Sequence, residues 1–340
     1  MRKSVLLIAL LAFEQALAQT PTSSAASNLQ TPTSNFPWKE AYPPPLLAPS
    51  PKTEWVQALS NATIANAPVG NRGVAGNDPY CHWTSTQCKR PSDIYTCEQG
   101  HWGLSFDDGP TIASPPLYDF LKQQNLKATF FLIGGNVIQY PDMVKKMHED
   151  GHEIAIHTWS HTQLTTQTNE QIVAELKWTE QAIKEIIGVS PVLVRPPQGD
   201  MDDRVRNITE QLGFKIAIWS HDTFDWEIGT NPTVTPQSIE QEVTSWLNTA
   251  TGGISLQHDR VNETVNVAIN TVVPLLKGKY EMSTVAACAN MSAEDVYKET
   301  AGSGNQSSGN GGEGAASALM PAAFFVAFSA VAASIVSSAL

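Results

Sequence analysis

WGLSFDDGP, residues 102–110, is an apolar run that ends on two adjacent carboxylates, Asp107 and Asp108, and stops at Gly109 and Pro110. A short apolar run closed by a Gly-Pro turn reads as a buried strand. Six further runs of this kind follow or accompany it, at 128–133, 153–156, 192–194, 214–219, 253–256 and 280–282. Amphipathic stretches lie between the seven, at 116–124, 141–150, 169–187, 203–212, 236–248 and 262–276. Alternation of this sort predicts an α/β fold with a parallel sheet covered by helices. Seven strands predict a distorted (β/α) barrel related to the TIM type. An open doubly wound sheet is the alternative.

The polar residues favour the barrel. Asp107 and Asp108 follow the first run, His157 the third, Arg195 the fourth, Asp222 the fifth and His258 the sixth. Parallel α/β folds carry their active sites at the C-terminal ends of strands, which is where these residues fall.

The stretch HTWSH, residues 157–161, adds two imidazoles spaced i, i+4. Two histidines and one carboxylate, with a position left open for water, form a catalytic zinc set. The carboxylate left over, Asp107 or Asp108, is free to act as a general base. Spacing alone does not establish this. His148 and His152 have the same spacing, yet they precede a strand and lack a carboxylate motif.

The formal net charge is −12. An acidic surface argues against nucleic acid and polyanionic substrates, and is compatible with a neutral or cationic polymer or with simple solubility. Residues 1–18 read as a signal peptide: Arg2 and Lys3, an apolar run at 5–13, and Ala16-Leu17-Ala18 before the cut. Residues 19–75 read as a Pro/Ser/Thr-rich stalk and irregular lead-in, with 19–50 disordered. The lead-in continues to residue 96 and is expected to pack on the main domain, 76–290, whose core is 97–290. Residues 291–314 form a Gly/Ser/Asn-rich spacer, and 315–340 a hydrophobic tail with no basic flank. That order describes a GPI signal with the lipid at Asn310 or a neighbour, and not a transmembrane helix, which usually keeps a basic flank. Sequons begin at Asn61, Asn207, Asn262, Asn290 and Asn305, as in a secreted glycoprotein. Cys81, Cys88, Cys97 and Cys288 are expected to pair, with three connectivities open. A Cys97–Cys288 bond would fasten the two ends of the barrel and leave Cys81–Cys88 as a local loop.

Five motifs stand in order: SFDDGP at 105–110, HTWSH at 157–161, RPPQGD at 195–200, DTFDW at 222–226 and ISLQH at 254–258. Together they resemble the NodB-type polysaccharide deacetylases. Through GHEIAIHTWSH and RPPQGDMDDRVR the chain is similar to fungal GPI-anchored chitin deacetylases. The resemblance covers residues 97–290. It implies that Asp108, His157 and His161 hold one divalent ion, Zn²⁺ or Co²⁺. It implies Asp107 as base, His258 as acid, Asp225 as the carboxylate that keeps His258 protonated, and Arg195 as the cation that orients Asp107. Trp226 and Leu256 would wall the pocket for the acetyl methyl. Gln198 stands where the family has tyrosine, and its backbone N–H would face the oxyanion. The implied activity is hydrolysis of the N-acetyl groups of chitin to chitosan and acetate at the fungal cell wall, by a monomer that does not bind nucleic acid. The other readings are a deacetylase of another acetylated glycan, and a glycan-binding wall protein with a silent site.

Overall fold

The computed structural model describes residues 35–248 and 251–301. The leader at 1–18, the sequon at Asn305, the attachment region around Asn310 and the terminal tail lie outside the described residues. No helix of the described residues is long and apolar enough to cross a membrane.

The strands are β1 (His101–Gly103), β2 (Ser105–Asp107), β3 (Thr129–Leu132), β4 (Glu153–Ile156), β5 (Leu193–Val194), β6 (Lys215–Ile216), β7 (His221–Asp222), β8 (Gly253–Leu256) and β9 (Glu281–Ser283). They form two sheets, ordered β2-β3-β4-β5-β6 and β7-β8-β1-β9. Every pairing between them is parallel. The run at 102–106 is therefore shared between sheets. Leu104 at the junction donates its N–H to Ser283 O and accepts from Thr129 N, both at 2.9 Å.

The sheets meet again beside the carboxylates. Asp107 N donates to Gln257 O at 2.9 Å, and Asp259 N donates to Asp107 O at 3.2 Å. On the other side, Ser220 N donates to Ile254 O at 3.0 Å. The lead-in fills part of the remaining seam. Ile94 bridges to β6 through Ile216 O and Ile218 N, and Thr96 Oγ1 donates to Gly252 O. The result is a distorted (β/α) barrel.

Successive side chains on a strand face opposite ways. Phe130, Leu132, Ile154 and Ile156 join the outer core with Val144, Met147 and Leu176 of the helices. Phe131 and Ala155 join a second cluster with Leu193, Ala217, Ile254, Val285 and Ala286. The carboxylate of buried Glu153 is satisfied in part by the Thr129 hydroxyl at 2.6 Å and Ala286 N–H at 3.1 Å.

The covering helices are α1 (Pro115–Gln123), α2 (Pro141–Glu149), α3 (Asn169–Ile187), α4 (Asp203–Gln211), α5 (Pro236–Leu247) and α6 (Asn262–Val267). A capping box between Thr168 and Gln171 starts α3, and left-handed Gly188 ends it. The last stretch, expected as one helix over 262–276, is broken. A π-helical turn at Ala268–Val272 separates α6 from α7 (Val273–Lys277). Pro274 has no N–H to bond the preceding turn, so the ladder shifts there.

The stalk expected at 19–50 differs from what is found in its described part. Trp178 Nε1 on α3 donates to Ser50 O at 2.9 Å, and Trp159 Nε1 donates to Pro44 O at 3.1 Å. Tyr42 stacks on Trp159 with ring centroids 5.8 Å apart. Trp38 and Tyr42 supply apolar area, and Pro43, Pro44 and Pro45 leave little backbone entropy to lose on docking. Cys97 bonds to Cys288, and Cys81 bonds to Cys88.

Candidate active site

The motif residues converge because each leaves the C-terminal end of its strand. Asp107 ends β2, His157 follows β4, Arg195 follows β5 and Asp222 ends β7. His258 lies two residues beyond β8. One cleft of about 680 Å³ is lined by Asp107, Asp108, His157, His161 and His258, and also by Gln198, Trp226 and Leu256. Arg195 and Asp225 are buried behind it.

Asp108, His157 and His161 each offer a ligand atom, all within 4.8 Å of one another. Asp108 Oδ1 is 3.5 Å from His157 Nε2 and 3.2 Å from His161 Nε2. Buried Asp108 Oδ1 has no hydrogen-bond donor among the described residues. An orphaned buried carboxylate oxygen facing two imidazoles is a site built for a cation. Burial alone would raise the Asp108 pKa, but the two imidazoles hold it well below the ordinary carboxylate value. His157 Nδ1 lies 2.7 Å from Arg195 O, so Nδ1–H donates there and the Nε2 lone pair faces the cluster.

Asp107 accepts from Arg195 Nη1 at Oδ1, 2.7 Å away, while Oδ2 is 3.8 Å from His157 Nε2. Arg195 has no exposure to solvent. Its Nε donates to Ala217 O at 3.2 Å, and its guanidinium lies 3.9 Å above the Phe131 ring. Across the cleft, Asp225 grips His258 twice. Its Oδ2 accepts the His258 backbone N–H at 2.8 Å and its Oδ1 accepts Nδ1–H at 2.6 Å. Burial pulls the His258 pKa down, but Asp225, with Asp108 and Asp107 behind it, lifts it to about 10.

His148 and His152 serve the scaffold. His152 Nδ1 accepts Ala128 N–H, and burial lowers its pKa to about 4. Of the described sequons, Asn61, Asn262 and Asn290 are exposed, whereas half-buried Asn207 on α4 accepts the Ala65 N–H at 2.9 Å.

Three carboxylates bear on the site beyond the roles that the motifs imply: half-buried Asp222 and buried Asp259 and Glu175. Asp222 lines the cleft, and burial together with nearby Asp225 raises its pKa to about 6. Asp259 lies against Gly109, where any Cβ would overlap its carboxylate, so the turn after Asp108 requires glycine. Tyr118 OH donates to Asp259 Oδ2 at 2.8 Å, and burial raises the Asp259 pKa to about 6. Glu175 on α3 braces the turn between the two histidines. It accepts Trp159 N–H at 2.7 Å, Ser160 N–H at 2.9 Å and the Ser160 hydroxyl at 2.5 Å. A sequence signal for Glu175 exists: it sits on the apolar stripe of α3 with Ile172, Leu176 and Ile183.

Outer partners of this kind typically set ligand affinity by about 10–100-fold. Glu175→Gln should weaken divalent-ion retention by roughly that factor, read by competition with a chelator. Unchanged retention would show that Glu175 does not position His161.

Residues 95–217 match the family described as polysaccharide deacetylase. The chain is 37% identical to chitin deacetylase 1 of Cryptococcus neoformans, over 84% of this chain and 66% of that protein. It is 38% identical to the chitin deacetylase of Amylomyces rouxii, over 70% of this chain and 60% of that protein. It thus spans less than two thirds of the length of both relatives. It is 36% identical to chitin deacetylase 1 of Saccharomyces cerevisiae, over 70% of this chain and 84% of that protein. Among solved structures, the chitin deacetylase of Colletotrichum lindemuthianum aligns with a TM-score of 0.57 and 29% identity, over 61% of this chain and 95% of that chain. The chain belongs to the polysaccharide deacetylase family.

Proposed function

We propose that this chain hydrolyses the N-acetyl groups of chitin, giving chitosan and acetate, at the fungal cell wall. One observation carries the reading. A carboxylate paired with a buried arginine, a three-ligand cluster and an imidazole gripped by a carboxylate all face one cleft. Two imidazoles and a carboxylate suit Zn²⁺, and Co²⁺ takes the same geometry. When bound, such an ion polarises a carbonyl and acidifies water.

The chain's own residues do the rest. Arg195 occupies Oδ1 of Asp107 and leaves Oδ2 turned toward the cluster, so the carboxylate is oriented to take a proton from attacking water. The Gln198 backbone N–H would donate to the developing oxyanion, a role any non-proline residue can fill. His258 then protonates the leaving nitrogen, and Asp225 keeps it charged until that moment. Trp226 and Leu256 shape an apolar recess for the acetyl methyl. A silent glycan-binding role would give no reason to bury these charged groups in mutually satisfied pairs.

Asp107→Asn should lower kcat/KM for acetate release by roughly 10²-fold or more while the ion is still retained. His258 works in its charged form, so activity should fall as pH rises through its pKa. Removing the Asp225 charge takes away the strongest influence that raises that pKa and leaves only Asp108 and Asp107 against the desolvation that lowers it. Asp225→Asn should therefore shift the alkaline limb of the kcat/KM profile to lower pH. A limb that stays in place would remove His258 from the acid role.

The location belongs to the same proposal. Two disulfides suit an oxidising compartment. The leader at 1–18, the spacer at 291–314 and the tail at 315–340 support export and a GPI lipid at Asn310 or a neighbour. The enzyme would work as a tethered monomer beside newly made polymer. A phosphatidylinositol-specific phospholipase should release it from intact cells. Mature chains that still end at Leu340, seen by mass spectrometry, would overturn the anchor.

A further inference from the structure

The cleft has a wall that this reaction does not use. Trp83, Thr84 and Gln87 line the same cleft as His258, and all three lie in the loop closed by Cys81–Cys88. That loop precedes residue 95, where the family match begins.

The loop is built to hold a fixed shape. Its helix, Trp83–Thr86, has four residues and would not persist alone. The disulfide closes it, and Arg206 Nη1 and Nη2 donate to Cys81 O at 2.6 Å and Cys88 O at 3.3 Å. Arg206 is itself fixed by Asp93 at 2.9 Å.

The loop is also fastened to the turn that presents Gln198. Trp83 N donates to Met201 O at 3.2 Å, and Thr84 Oγ1 donates to Gly199 O at 3.1 Å. The Trp83 indole lies so close to Gly199 that a Cβ there would overlap the ring. Trp219 meets Trp83 edge to face at 4.5 Å. Gln87 is exposed, with Nε2 donating to Trp83 O at 3.2 Å and its amide oxygen left over. Gln198 accepts Gln163 Nε2 at Oε1, 2.6 Å away, which leaves its own amide N–H groups.

The chemistry of this wall is specific. It offers two indoles, Trp83 and Trp219, and the spare amide groups of Gln87 and Gln198, none of them charged, while the hydroxyls of Thr84 and Ser220 are held by Gly199 O and by Ile254 and His221. Such a surface suits a neutral sugar ring with hydroxyl and acetamide groups. The cation in the cleft lining, Arg260, lies 3.6 Å from Asp108 Oδ2 and is not part of this wall. A cleft of about 680 Å³ is also the size that takes a multi-ring ligand.

We infer that the Cys81–Cys88 loop forms a subsite for a neutral N-acetylhexosamine unit, the neighbour of the unit being deacetylated. The inference rests on the proposed glycan deacetylation. Its rigidity matters because a wall ordered before binding loses less entropy on contact.

The test is the length dependence of acetate release by the mature chain. Measure kcat/KM for N-acetylglucosamine oligomers from the dimer to the pentamer, for the wild type and for Gln87→Ala. The wild type should gain sharply with length, and the variant should lose about tenfold of that gain. Cys81→Ser/Cys88→Ser should lose at least as much, with near-ultraviolet circular dichroism reporting whether the barrel is intact. A wild type with no gain, or an exposed-site variant that keeps the full gain, overturns the subsite and leaves the activity standing. A wild type that releases no acetate from any oligomer instead overturns the proposed function, and the subsite with it.

Discussion

Arg195 and Asp107 meet at 2.7 Å inside the barrel, and neither is more than 1% exposed. A buried guanidinium without a carboxylate would cost several kcal/mol, so each charge requires the other. They are 88 positions apart in the chain, and only the parallel order β2-β3-β4-β5 brings them together. Arg195 does a second job through its backbone. Its carbonyl receives His157 Nδ1–H and so turns Nε2 toward Asp108. One residue therefore orients the candidate base and fixes the tautomer of a candidate ligand. Phe131 beneath the guanidinium and Ala217 O beside it tie that residue to the barrel interior. A slip of one residue in β5 would turn Arg195 to the helix side and dismantle the site.

The loops above this pair are strained. Asp108, Thr158, His161, Gln198 and Phe224 all have positive φ, between 56° and 74°. Non-glycine residues in that region cost of order 1 kcal/mol or more each, and they persist only where surroundings over-determine them. Each has a brace. Asn136 Nδ2 donates to Asp108 O, Glu175 holds Trp159 and Ser160, Gln163 reaches Gln198, and Asp222 accepts the Phe224 N–H. Strain concentrated in motif loops on a satisfied scaffold is the pattern expected of a preorganised site.

Much of this was legible in the sequence because strands and motifs are local. β3, β4 and β8 lie within apolar runs, and α3 coincides with its amphipathic stretch. The position of a polar residue just after such a run already places it at the cleft. What the sequence hid depends on long-range contact. The partition of 102–106 between two sheets is decided by Ser283 and Thr129, far away in the chain. The docking of Trp38 and Tyr42 was masked by the Pro/Ser/Thr content around them. Trp83 and Gln87 come from a segment without periodicity, and only the disulfide and Arg206 place them against Gly199.

These groups are proposed to cleave an acetamide bond on a glucosamine unit. The most direct measurement counts both products at once, acetate and free primary amine, as the purified chain acts on N-acetylglucosamine oligomers with Zn²⁺ present and with it chelated. One amine is expected for each acetate, with both lost on chelation and restored by added Zn²⁺. Acetate without matching amine, or equal release with the ion removed, would contradict it.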